Sequence, residues 1–430
     1  MNGENSEDID EIIDFISKAY SNVGEDYLHP KSASGNINAQ ERIFSYEFYH
    51  QMRKLQETNY YKFLKESTLI IEGERIKRDI KKQPDFIIHK PGTNESNYLV
   101  IEIKKIKSSY YSIAHDLTKL NEYINEKKYK YGISLIFGEI FNENDTIWNS
   151  IKNEIKEEDS KNNNLKLSDY IKNQKIIILW CHNEECENIS SFLVGEGELM
   201  KDKFDLKNTQ RKSILNTHEV KKMNGENSEN IYEIIDFISK AYFNVGENYL
   251  HPKSASGDIN AQERIFSYEF YHQIRKLQES NKYEYKFLKE STLNIEGERK
   301  KSNRYKKDKK CINLKQPDII IHIPGNNENN LLLIEIKRIE RRDNIIEDLE
   351  KLKCFIGKLD YKYGISLIFG EISNENGNIW NPIKDKIKEE DSNDDNLKLS
   401  DYIKNQKIII LWCANKKCKF FSLEDGWRDI

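Results

Sequence analysis

Twice in this 430-residue chain a Pro-Asp pair is followed, seventeen residues beyond the aspartate, by Glu-Ile-Lys. Pro84-Asp85 precedes Glu102-Ile103-Lys104, and Pro317-Asp318 precedes Glu335-Ile336-Lys337. Both motifs lie in apolar, β-branched runs, PDFIIH with YLVIEIKK and PDIIIH with LLLIEIKR. Such runs read as strands. Two carboxylates and a lysine on adjacent strands are a compact way to hold a divalent cation and activate water. A hard cation takes carboxylate oxygens, and a metal-bound water becomes a nucleophile at neutral pH. That is the chemistry of phosphodiester hydrolysis.

A hairpin must bring the two motifs together, and its register can be stated in advance. If Asp85 faces Glu102, paired residues sum to 187, and the turn centres between Thr93 and Asn94 inside PGTNESN. For the second motif the sum is 653, and the turn centres between Asn326 and Asn327 inside PGNNENN. Pro, Gly and Asn suit a turn at both places. Side chains alternate along a strand, so Glu102 and Lys104 share one face while Ile101 and Ile103 point to the other.

The motif recurs because the chain recurs. The segment from Met1 to Glu57 returns from Met223 with few changes, an offset of 222 residues (223 − 1). YKYGISLIFGEI and KLSDYIKNQKIIILWC return as well. The period is a whole domain, far beyond the roughly 20–50 residues of solenoids and propellers. We expect tandem fusion of one unit with itself: copy 1 over 1–193, a polar linker over 194–228, and copy 2 over 229–430. The copies are not identical. Ten residues separate Glu74 from Pro84 (84 − 74) and nineteen separate Glu298 from Pro317 (317 − 298), yet the motif keeps its spacing.

Each unit predicts a mixed α/β sandwich. Helices are expected over Asp8–Val23 and Asn38–Leu55 from apolar stripes at helical spacing. Asn38, three residues before Glu41, suits a capping box. Strands are expected over Thr68–Glu74, Gln83–His89 and Tyr98–Lys105. An amphipathic helix follows at Ser112–Asn125, then a buried strand at Tyr131–Phe137. Helical segments near Trp148–Glu157 and Leu167–Asn173 lead to a last strand, Lys175–Cys181.

Composition narrows the class. Charged residues are 33% of the chain and mean hydropathy is -0.80, which suits a soluble, cytoplasmic protein. No run of 18 apolar residues is present, so no membrane span is expected, and no secretory leader is visible. The net charge of -4 does not advertise a nucleic-acid binder, although catalytic carboxylates count against the total. Six cysteines are too few for a disulfide scaffold, so reduced thiols are expected. Cys181 with Cys186, and Cys413 with Cys418, supply at most half of a four-ligand zinc site.

At the Pro-Asp and Glu-Ile-Lys residues the chain resembles the PD-(D/E)XK nuclease superfamily, whose restriction-endonuclease-like core runs α-β-β-β-α-β. The resemblance spans Asn38 to Phe137 and Asn260 to Phe369. Within that superfamily the chain is similar to small nuclease-like modules. These carry a Gln-Glu-Arg helix, here Gln40-Glu41-Arg42, then the strands Pro84–His89 and Ile101–Lys104. An Asp-Leu-x-x-Leu helix (Asp116–Leu120) and a Tyr-x-x-Gly-Ile strand (Tyr129–Ile133) follow.

The resemblance implies roles. Asp85 and Glu102, with Asp318 and Glu335, would bind Mg²⁺ or Mn²⁺, and the backbone carbonyl of Ile103 or Ile336 would add a ligand. Lys104 and Lys337 would orient the attacking water or offset developing negative charge. Glu41 and Glu263 stand where the superfamily often places a further acid, with Glu47 and Glu269 as rivals. Glu72, Glu74, Glu296 and Glu298 end the preceding strand within reach of a metal. Gln83 and Gln316 adjoin the Pro-Asp, and His89 and His322 share the aspartate's strand face. The basic runs Arg75–Lys82 and Arg299–Lys310 would neutralise backbone phosphates, with Tyr305 placed to stack on a base.

The expectation is a Mg²⁺-dependent endonuclease acting on DNA, with two sites working as an internal pseudo-dimer. A nuclease acting on RNA and a non-catalytic nucleic-acid-binding or structural module of the same fold are the alternatives.

Overall fold

A computed structural model describes residues 4–30, 37–65, 69–73, 83–91, 97–138, 144–161, 166–182, 185–194, 227–252, 259–280, 285–288, 293–297, 317–323, 330–371, 380–392, 398–423 and 426–430. The first half carries helices α1 (Glu4–Ser21), α2 (Glu25–Leu28), α3 (Ile37–Glu57), α4 (Lys62–Lys65), α5 (Tyr110–Lys127), α6 (Asn144–Lys161), α7 (Leu167–Lys172) and α8 (Ser190–Leu193). Its strands are β1 (Ile70–Gly73), β2 (Phe86–His89), β3 (Asn97–Lys105), β4 (Tyr131–Phe137), β5 (Ile176–His182) and β6 (Glu185–Asn188). The second half repeats them as α9 (Asn227–Phe243), α10 (Glu247–Leu250), α11 (Ile259–Ser280), α12 (Ile345–Leu359), α13 (Trp380–Ser392) and α14 (Leu399–Lys404). Its strands are β7 (Asn294–Gly297), β8 (Ile319–His322), β9 (Asn330–Arg338), β10 (Tyr363–Phe369), β11 (Ile408–Ala414), β12 (Lys417–Ser422) and β13 (Gly426–Asp429).

Each half folds on its own mixed sheet, ordered β1-β2-β3-β4-β5-β6 and β13-β12-β11-β10-β9-β8-β7. β1, β2 and β3 are antiparallel neighbours, β3, β4 and β5 are parallel, and β6 returns antiparallel. The hairpin register agrees with the sequence: Phe86 pairs with Ile101 and Ile319 with Ile334, which keep the sums of 187 and 653. A one-residue shift follows at Ile88/His89 and at Ile321/His322. Alternation along the strands then sorts the core. Phe86, Ile101 and Ile103 pack toward α1 and α3. Ile87 and Val100 pack toward α5, α6 and α7.

Helix α3 departs from an ordinary amphipathic helix, because every residue from Ile43 to Met52 is buried. One side covers its own sheet and the other meets α11 across an approximate two-fold seam. Tyr46 stacks on Tyr268 with ring centroids 4.2 Å apart. Arg53 bonds Glu269 at 2.9 Å and Arg275 bonds Glu47 at 3.0 Å. His50 and His272 meet Nδ1 to Nδ1 at 2.9 Å, so only one ring donates across that contact at a time. Their outer nitrogens face Glu279 and Glu57. Gly73 and Gly297 let the rings of Tyr268 and Tyr46 lie directly against the opposing edge strands, where any side chain would collide.

Several expectations change. The second helix spans Ile37–Glu57, so Asn38 lies inside it rather than before its first residue. The strand expected to end each unit is followed by β6 in one copy and by β12 and β13 in the other. These hairpins place Cys181 opposite Cys186 and Cys413 opposite Cys418, and both pairs are disulfide-bonded rather than reduced. Among the described residues no helix is long and apolar enough to cross a membrane. The hairpin turns, both basic runs with Tyr305, and nearly all of the linker fall outside the described residues.

The seam makes a testable demand. Breaking a buried ion pair from one side strands a charge and typically costs about 3–5 kcal/mol, whereas removing both charges costs less. In urea denaturation we expect Arg53→Ala to lose that much stability and Arg53→Met/Glu269→Gln to recover a good part of it. Equal losses for the two proteins would mean that the ion pair is not what holds the seam.

Candidate active site

The site of the first half grows from the β2–β3 hairpin. Asp85 sits at the bend before β2, and its Oδ2 accepts a hydrogen bond from the Ile103 amide at 2.6 Å. That bond ties the carboxylate to the strand bearing Glu102 and Lys104. The second half repeats it, with Asp318 Oδ2 accepting from the Ile336 amide at 2.6 Å. Ile103 and Ile336 point into the core, as alternation requires. Glu102 and Glu335 are buried on the opposite face, under α5 and α12.

Those helices supply groups that strand-centred reading did not single out. Lys119 Nζ lies 2.7 Å from Glu102 Oε1, and Lys351 Nζ lies 2.7 Å from Glu335 Oε1. Lys104 Nζ lies 3.3 Å from Asp116 Oδ2, and Lys337 Nζ lies 3.2 Å from Asp348 Oδ2. The signal was in the sequence as Asp116-Leu117-Thr118-Lys119 and Asp348-Leu349-Glu350-Lys351. Residues three apart on a helix share one face, so a buried Asp and Lys arrive together above the sheet.

Glu41 joins the site from α3. Its Oε1 accepts from the Lys105 amide at 3.1 Å and from Ser108 Oγ at 2.7 Å, and its Oε2 lies 3.9 Å from Lys104 Nζ. Glu263 likewise accepts from the Arg338 amide at 3.0 Å. The rival acids go elsewhere: Glu47 and Glu269 are seam residues bonded to Arg275 and Arg53. Glu72 pairs with buried His89 at 2.9 Å, and Glu296 with buried His322 at 3.1 Å. Gln83 accepts from Arg264 of the second half. Glu74, Glu298 and Gln316 lie outside the described residues.

Among the described residues, Lys104 and Lys119 are the lysines paired with Glu41, Glu102 and Asp116, with His115 also 4.0 Å from Asp116 and Lys105 acting on Glu41. Burial pushes Asp85 up to about 6, against the pull of Lys119 and Lys104. Burial, reinforced by Asp85, holds Glu102 well above the carboxylate range, and burial does the same to Glu335. Asp348 is pushed up to about 6 by burial despite Lys337. Lys104 and Lys337 rise instead: desolvation, the largest single effect, would lower them, but Asp116 with Asp85, Glu41 and Glu102, and Asp348 with Glu263 and Asp318, together outweigh it.

Among the described residues no three His, Cys, Asp or Glu side chains converge as a metal cage. The donor set of each site is a carboxylate pair. It fits a hard cation in kind, since carboxylate oxygens and a nearby backbone carbonyl are what such an ion takes. No family model, curated protein or solved structure matches the chain.

The raised carboxyl has a pH consequence. An acid whose folded pKa stands above its unfolded value makes the folded state the better proton binder, so stability falls as pH rises from about 4 through about 6. Asparagine keeps the acceptor for Ile103 and removes the charge. In EDTA, Asp85→Asn should be more stable than the parent by about 1–2 kcal/mol at pH 8, with the gain vanishing near pH 4. A variant less stable at pH 8 would show that the carboxylate is well compensated.

Proposed function

We propose that the chain is a Mg²⁺-dependent endonuclease with a PD-(D/E)XK-type, restriction-endonuclease-like core in each half, hydrolysing phosphodiester bonds in DNA. The observation that carries this is the desolvated carboxylate pair at the β2–β3 and β8–β9 hairpins, each backed by its lysine. Burial raises these carboxyls, whereas the structural glutamates of the seam are held low by their arginines. Asp85 and Glu102 would hold the cation with the Ile103 carbonyl, and Asp318 and Glu335 would hold it with the Ile336 carbonyl. When bound, Mg²⁺ would polarise the scissile phosphate and acidify a water.

The chain's own groups do the rest. The Ile103 amide fixes Asp85 so that its second oxygen is available. Lys119 neutralises Glu102 until a cation takes that place. Lys104, kept fully protonated by Asp116 and Glu41, is positioned to orient a water or to stabilise charge developing on phosphate. The seam holds the two sites in one body, so the halves would act as an internal pseudo-dimer able to cut both strands.

The test uses supercoiled, linear and single-stranded DNA, and RNA, with Mg²⁺, Mn²⁺ or EDTA. Metal-dependent cleavage is expected for the parent, and Lys104→Ala/Lys337→Ala should lower it at least 100-fold without unfolding the protein. Cleavage confined to RNA would keep the chemistry and change the substrate. A folded, metal-loaded protein inert on every nucleic acid would leave a non-catalytic binding or structural module.

A further inference from the structure

Adjacent residues of α11 serve different halves of the molecule. Glu263 stays home, accepting from the Arg338 amide at the end of β9. Arg264 crosses the seam, and its Nη1 donates to Gln83 Oε1 at 2.7 Å. Gln83 is followed directly by Pro84 and Asp85. Consecutive Cα atoms are about 3.8 Å apart, so one helical turn of the second half bonds both the end of β9 and a residue within two positions of Asp85. The pair is only partly buried, so a ligand lying along the site would meet it.

A phosphodiester brings negative charge to a cluster that already holds Asp85, Glu102, Asp116 and Glu41. Lys119 is committed to Glu102, and Lys104 to Asp116. A guanidinium offers five donors in a planar fork that matches a phosphate, and it stays charged at any working pH. Contact with Gln83 Oε1 holds that fork two residues along the chain from Asp85. The equivalent position of the first half, Arg42, belongs to the same Gln-Glu-Arg sequence, but its partner by repeat, Gln316, lies outside the described residues.

We propose that Arg264 is a substrate-positioning residue supplied by the second half to the first site, where it contacts the phosphate backbone of the nucleic acid held at Asp85 and Glu102. The inference rests on the nuclease reading and makes the first site composite. The first half alone would then lack a phosphate contact, and the duplication would be a working part of the enzyme rather than a doubling of dose.

The test uses the full chain with one site silenced at a time. Lys337→Ala leaves the first site to report, and Lys104→Ala leaves the second. Arg264→Gln removes the charge while keeping a group able to bond Gln83. In the Lys337→Ala background we expect KM for duplex DNA to rise about tenfold, with kcat changed far less, because a charge-assisted hydrogen bond to substrate is lost. In the Lys104→Ala background the same change should leave KM within about twofold.

A second arm needs no turnover. In Lys104→Ala/Lys337→Ala, binding of duplex DNA is measured against salt. Arg264→Gln should shallow the slope of log Kd on log salt by about one phosphate contact, roughly 0.9. Equal KM effects in both backgrounds, or an unchanged salt slope, would overturn the proposal. A Lys337→Ala protein that cleaves normally with or without Arg264 would overturn it while leaving the nuclease reading intact.

Discussion

The structure is organised around keeping two carboxylates of each half out of water, the glutamate of each paired with a buried lysine. Glu102 and Glu335 are almost fully buried, and each shares its pocket with an aspartate anchored by a backbone amide. Left alone, such a pair holds protons rather than charge, which is why Asp85 rises to about 6. The fold tolerates this because the surrounding packing is over-determined. The hairpin register is fixed by apolar residues on both sheet faces, and a slip of one residue would turn them all inside out. Carboxyls raised by burial in a rigid setting are a common signature of a site rather than of a scaffold.

The seam is the opposite case, and the contrast is instructive. Glu47 and Glu269 are equally buried, and burial alone would raise them. Arg275 and Arg53, with further hydrogen bonds, hold both below the ordinary carboxylate range instead. Charge there is matched, satisfied and structural. Helix α3 serves both places, since half-buried Glu41 turns to the hairpin cluster and buried Glu47 to the seam. One helix therefore carries an acid of the hairpin cluster, the cross-seam ion pair and, in its repeat α11, the arginine that reaches the other half.

What the sequence made legible followed from local periodicity. Strand alternation placed Ile101 and Ile103 in the core and Glu102 and Lys104 on the far face, and the turn residues set the register of the hairpin. Asp116 and Lys119 were less legible, because a charged pair on a helix ordinarily reads as a solvated face; only their burial on the side of α5 that meets the sheet shows otherwise. Glu47 was unreadable for a different reason. Its partner lies more than two hundred residues away, and a helix buried all round offers no single stripe to read. The cysteines were misjudged because the short hairpin that pairs them, Glu185–Asn188 on Ile176–His182, has a polar sequence without the usual strand signal. The mixed α/β class followed from the order of elements, whereas the packing of two copies through α3 and α11 depends on side chains meeting across the seam.

Calorimetric titration with Mg²⁺ at pH 6 and pH 8, in buffers of different ionisation heat, addresses the central claim most directly. If the carboxylate pairs are cation sites, each half takes up metal. Uptake at pH 6 releases protons, because burial raises Asp85 to about 6 and holds Glu102 and Glu335 well above the carboxylate range; toward pH 8 the share from Asp85 falls away. Asp85→Asn/Asp318→Asn should abolish uptake while the protein stays folded. Absence of any metal uptake by the parent at pH 8, or uptake unchanged by the double substitution, would contradict the account.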